Sequence, residues 1–204
     1  MEMVEHSKGM AVVHAEGHGH SMSKERHNYL LKFGWWVYIA SEIMLFSSLI
    51  GTFLLAKKLY PEGQEHLNVS LTAFNTFLLL MSSWTVVRAL ASLHEGDQVG
   101  LQRSLFLSFI LGSIFVGIQV YEYRELSHHG LTLHSDIFGS AFFLLTGFHG
   151  AHVAIGVIWI LFAFFKSLHG FYTPDNYIGI EILGLYWHFV DVVWIFLFPL
   201  IYLL

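Results

Sequence analysis

The 204-residue sequence contains no cysteine, which excludes a disulfide framework, thiolate metal sites and thiol nucleophiles. Charge is scarce as well. Asp, Glu, Lys and Arg make up 12% of the chain, about half the roughly 25% of an average soluble domain. Together with 55% hydrophobic residues, that deficit indicates a membrane protein. The formal net charge is −5, and no basic stripe follows the chain, so nothing in it invites nucleic acid. Residues 1–28 lack the apolar run that a secretory signal needs. They hold five histidines, His6, His14, His18, His20 and His27, and are expected to form a polar tail ahead of a transmembrane domain at 29–204. Histidine-rich tracts can bind metal, but only the His18-Gly19-His20 spacing hints at it.

What the sequence has in quantity is long apolar stretches. About 20 such residues cross a bilayer as a helix, and five stretches qualify: 33–56, 69–87, 105–123, 137–165 and 182–204. Bare backbone polar groups have no partner in hydrocarbon, so these stretches must be helices or strands of a closed barrel. Their unbroken apolarity and length favour helices. The expected fold is all-α: a polytopic membrane protein with five transmembrane helices in one bundle joined by short loops. Turn-forming chemistry falls between the runs at Pro61-Glu62-Gly63, Glu95-Gly96-Asp97, His128-His129-Gly130 and Thr173-Pro174-Asp175-Asn176. Trp35, Trp36 and Tyr177 sit near span ends, where amphipathic rings anchor at headgroups. Gly147-x-x-x-Ala151 and Gly150-x-x-x-Ala154 would allow close helix approach.

A cytoplasmic N-terminus places Lys8, Lys24, Arg26, Lys32, Arg88, Arg103 and Lys166 inside, leaving only Lys57, Lys58 and Arg124 outside. The positive-inside bias therefore predicts N-terminus in and C-terminus out.

The informative residues are the ionisable ones within the spans, since polar groups in hydrocarbon need a partner or a reason to be wet. Glu42 lies about ten residues into the first run, where ionisation is expensive, and is expected to hydrogen-bond across helices. Glu122 lies nearer a span end and is expected to stay solvated or to pair with Arg124. His149 and His152 share one face of the fourth span, as His188 and Asp191 do of the fifth, each pair being three residues apart. Three readings compete for these groups. They could ligate a metal or haem, conduct protons as an independent transporter, or form a structural hydrogen-bond network that fixes packing or holds lipid. Three span histidines are few for a di-iron site, which favours the network.

The order and content of four motifs resemble a known family. Ser41-Glu42, Tyr121-Glu122-Tyr123, Gly147-Phe148-His149-Gly150-Ala151-His152-Val153 and Tyr186-Trp187-His188-Phe189-Val190-Asp191-Val192-Val193-Trp194 look like subunit III of a haem–copper respiratory oxidase, in its short five-helix bacterial form. The resemblance runs from about Phe33 to the C-terminus. It implies a non-catalytic subunit of a proton-pumping cytochrome c oxidase that reduces oxygen to water, with a quinol oxidase as the alternative electron-donor type. An independent haem-binding or proton-coupled membrane protein is the competing class. It further implies no cofactor in this subunit and no catalytic or metal-binding residue. Haem and copper are expected in partner subunits, with subunit I in direct contact and subunits II and a small IV as further neighbours. The family's carbodiimide-reactive carboxylate falls on Glu42. His149, His152, His188, Asp191, Glu42 and Glu122 are carried over as lipid-contacting or packing-network residues. Bound phospholipid and a multi-pass location in a bacterial cell membrane follow from the same resemblance. Longer members have two further N-terminal spans that wall a lipid cleft. Here only the polar tail stands in that place, so other subunits would have to supply that wall.

Overall fold

The structure, a computed structural model, describes residues 2–60, 68–128, 132–133 and 136–203, with side chains from Glu25 onward. Five α-helices follow one another: α1 Glu2–Leu59, α2 Val69–His94, α3 Gln98–His128, α4 Ile137–Leu168 and α5 Ile178–Phe198. The last passes into a π-helical turn, Pro199–Leu203. Each helix contains a segment long and apolar enough to cross a membrane, Glu25–Leu59 in α1 and Ile178–Leu203 at the end of the chain. No strand occurs among the described residues. The all-α, five-span architecture is the one the sequence predicts.

Each helix extends beyond its apolar run at one end or both, because hydropathy marks only the hydrocarbon-crossing part. Asn68 caps α2 by accepting from the Leu71 N–H at 3.1 Å, and the Asp97 carboxylate accepts from the Gly100 N–H at 2.9 Å as α3 begins. Asp136 does the same for α4 through Gly139. At helix ends, Gly96 (φ 77°) and Gly170 (φ 67°) adopt the left-handed conformation that closes a helix at little cost only in glycine. The turns expected at 95–97 and 173–176 are observed; those at 61–63 and 129–130 lie outside the described residues.

The chain forms two units, Met1–Ala40 and Ser41–Leu204. The first is a single stretch of α1. The polar residues 2–28, read as a tail, continue that helix at its N-terminal side, and Trp35 meets Tyr38 edge-on at 5.2 Å.

The second unit is built around two tryptophans of α5. Lipid tails are as apolar as leucine, so close packing rather than exclusion from water must hold such helices together. Trp187 shows what this requires. Its ring lies between Gly112 of α3 and Gly156 of α4, where an added Cβ would come within 3.0 and 2.5 Å of it. Its Nε1–H donates to Ser82 Oγ of α2 at 3.0 Å. One side chain thereby joins four helices. Trp194, seven residues or about two turns further on, donates to Thr76 Oγ1 at 2.9 Å and meets Phe115 edge-on at 5.2 Å. Within the same unit, residues 41–59 of α1 lie against α4 and α5: Phe53 packs on Phe138 at 5.7 Å, and Phe46 on Phe189 at 6.2 Å. Pro199 has no N–H to continue the α-helical ladder. Beyond it Lys57 Nζ donates to the carbonyls of Leu200 (3.0 Å) and Ile201 (3.5 Å), satisfying acceptors that a helix end leaves open.

Candidate functional site

The ionisable groups of the spans gather in four separate places. Glu42 and His152 face each other from α1 and α4. His152 Nδ1 lies 2.7 Å from the Phe148 carbonyl one turn earlier. A carbonyl only accepts, so Nδ1 carries the proton. The other ring nitrogen, Nε2, faces Glu42 Oε2, 3.3 Å away. That oxygen is buried and has no aligned hydrogen bond. Phe46 covers the imidazole at 5.3 Å, and the Tyr186 hydroxyl donates to the His152 carbonyl at 2.9 Å.

His149 points the other way, into the core, and is completely buried. Its Nε2 lies 3.2 Å from the Val190 carbonyl of α5 and by the same logic donates. Nδ1 is then an acceptor, and it is enclosed without a partner. The ring stacks on Trp194 at 4.8 Å and takes the edge of Phe115 at 6.0 Å. Below it, Gln119 Nε2 donates to the Thr146 carbonyl at 3.0 Å, and the Tyr123 hydroxyl donates to Thr146 Oγ1 at 2.7 Å. Gln119 folds over Gly150, where a Cβ would fall 2.7 Å from its Oε1. Gly150 thus serves α3–α4 packing.

The third group joins α5 to α2. Ser83 Oγ lies 2.6 Å from His188 Nδ1, and Asp191, three residues further along α5, has its Oδ1 buried without a hydrogen-bond partner. Because α5 begins at Ile178, four residues before the apolar run, His188 and Asp191 sit near the middle of the span Ile178–Leu203. The fourth group holds Glu122, which is 6% exposed. Its Oε1 accepts from Thr72 Oγ1 (3.0 Å) and from the Tyr202 hydroxyl (2.9 Å). The expectation that it stays solvated or pairs with Arg124 is corrected. The α3 helix continues to His128, so Glu122 is not at a helix end, and it faces α2 while Arg124 is exposed.

Among the described residues, no three His, Asp or Glu side chains converge as a metal-holding group. The hydroxyl and amide partners, Thr72, Ser82, Ser83, Gln119, Thr146 and Tyr202, escaped the sequence reading. Their signal was present, since serines and threonines repeat along α2, but such residues also back-bond harmlessly within a helix. An apolar groove of about 350 Å³ opens beside Phe46, lined by Ile43, Ser47 and Ile50 of α1 and by Phe189, Val193 and Phe196 of α5.

Fold and site together define a multi-pass membrane protein whose buried polar groups bind helix to helix. The match to known proteins is specific. Residues 10–204 fit the family described as cytochrome c oxidase subunit III, and the chain belongs to that family. It is similar to cytochrome c oxidase subunit 3 of Synechocystis sp., with 38% identity covering 93% of this chain and 80% of the relative. It is equally similar to quinol oxidase subunit 3 of Bacillus subtilis, with 38% identity covering 84% of this chain and 85% of the relative. Cytochrome c oxidase subunit 3 of the same Bacillus is 37% identical, covering 84% of each. The chain is therefore a subunit III of a haem–copper oxidase, an oxidoreductase that acts as a complex.

Proposed function

We propose that this chain is the non-catalytic subunit III of a bacterial, proton-pumping cytochrome c oxidase. It packs on subunit I, with subunit II and a small subunit IV as further neighbours, and lies in the cell membrane with its N-terminus cytoplasmic. Haem and copper belong to the partner subunits. The observation that carries this reading is the family match over residues 10–204, whose motif histidines in this chain meet Glu42, the Ser83 hydroxyl and the Val190 carbonyl. Glu42, Glu122, His149, His152, His188 and Asp191 act as packing or lipid-contacting groups. The apolar groove between α1 and α5 has the lining that a phospholipid acyl chain requires. A quinol oxidase is the second reading, favoured by the equal identity to the Bacillus quinol oxidase subunit.

The test is isolation of the native complex through a tag on this chain. Oxygen consumption supported by reduced cytochrome c, with a copper-binding subunit II among the co-purified chains, is the expected result. Turnover with quinol alone would transfer the assignment to the second reading.

A further inference from the structure

The seam between α2 and α5 leaves a hydrogen-bonding requirement that the chain does not meet. Ser83 Oγ meets His188 Nδ1 at 2.6 Å, and Asp191, on the same helix, has its Oδ1 buried without a hydrogen-bond partner. The serine occupies one imidazole nitrogen of His188; the other, Nε2, has no hydrogen bond among the described residues, and the residue is partly exposed. His188 lies ten residues after Ile178, which at about 1.5 Å per residue places it roughly 15 Å along its span. With a hydrocarbon core of about 30 Å, it stands well below the headgroups, and acyl chains have nothing to offer an imidazole. A lipid therefore cannot meet the requirement at this depth. The surrounding surface is large and apolar. Val87, one turn after Ser83, is 51% exposed, Trp84 is 58% exposed, and Ile195, one turn after Asp191, is 44% exposed.

We infer that this seam of Ser83, His188 and Asp191, rimmed by Trp84, Val87 and Ile195, is the face at which the chain meets a transmembrane helix of another oxidase subunit. That helix presents a hydrogen-bonding side chain to His188 at mid-membrane depth. The inference rests on the subunit III reading and adds the place of contact. Apolar rims supply close packing, and the polar centre fixes register, the arrangement expected of helix association in lipid.

The absence of cysteine makes the test direct. Val87→Cys and Ile195→Cys, each carrying a photo-activated maleimide cross-linker, are compared in the assembled oxidase with Phe162→Cys on the outward stripe of α4, and with the cysteine-free chain as blank. The expected result is a covalent adduct to another oxidase subunit from positions 87 and 195, with only lipid adducts from 162. In parallel, His188→Leu should lower retention of this chain through detergent washing by about threefold, the average effect of one interhelical hydrogen bond in a membrane. Lipid adducts alone from 87 and 195, in an oxidase that still contains the chain, would overturn the inference. A tagged wild-type chain that brings down no oxidase would instead overturn the subunit III reading beneath it. The cross-linking variants retain His188, so a folding defect of His188→Leu does not decide the matter.

Discussion

At the scale of single residues, the polar groups divide by what meets them. His149 is enclosed by Trp194, Phe115 and the Val190 carbonyl, whereas Glu42 and His152 meet each other beside an open apolar groove. Replacing Glu42 by Gln keeps the shape and removes the carboxylate that faces His152 Nε2. Haem content and initial oxygen consumption should then stay close to wild type, while the enzyme's durability under sustained turnover changes. A progress curve of oxygen uptake measures both, and immediate loss of activity in a fully assembled enzyme would contradict the packing role. At Gly156 the argument is steric. A Cβ there would lie 2.5 Å from the Trp187 ring, and overpacking of a dense core costs about 1–3 kcal/mol. Gly156→Ala should therefore lower the thermal inactivation midpoint of the complex, whereas Gly117→Ala, with open space around it, should have little effect. The candidate ionisable residues were legible in the sequence because charge in an apolar run stands out at once. Their partners were not: a hydroxyl at 72 or 83 reads the same whether it bonds its own helix or a neighbour.

At the scale of elements, apolar runs located all five helices, and the helices extend beyond them. The longer helices put His188 and Asp191 at mid-span and Glu122 inside a helix. Lys57 gains a local explanation as well. Counted as an outer positive charge, it works against the expected orientation; structurally, its ammonium closes the C-terminal π-helical turn through the carbonyls of Leu200 and Ile201. The pairing spans well over a hundred residues of sequence, and no local pattern announces it. A hydrogen bond to a charged group contributes about 1.5–3 kcal/mol when buried, and solvent screening of the part-buried Lys57 reduces it to about 1 kcal/mol. Lys57→Met should thus raise the hydrogen-exchange rates of amides at 200–203 by about fivefold, leaving those in the middle of α3 unchanged. Tyr202→Phe, which removes one of two donors to Glu122, should loosen the same turn. Unaltered exchange in both variants would show that the turn is held by its apolar packing alone.

At the scale of the whole molecule, composition identified a membrane protein, and the ordered motifs from Glu42 to Trp194 identified the family. Neither composition nor motif distinguishes cytochrome c from quinol as electron donor, since this chain is as close to a relative of one type as of the other. On the proposed function, electron entry is chemistry of other subunits, so no residue here has to differ for it. The central claim is that the buried ionisable groups of this chain are met by one another, by hydroxyls, by backbone carbonyls or by a neighbouring subunit, and do not ligate a redox centre. Metal analysis and an optical spectrum of this polypeptide, separated from subunit I after purification of the oxidase, test it most directly. The account predicts that haem, iron and copper all remain with the partner subunits; a Soret band retained by the isolated chain and lost in His149→Ala would contradict it.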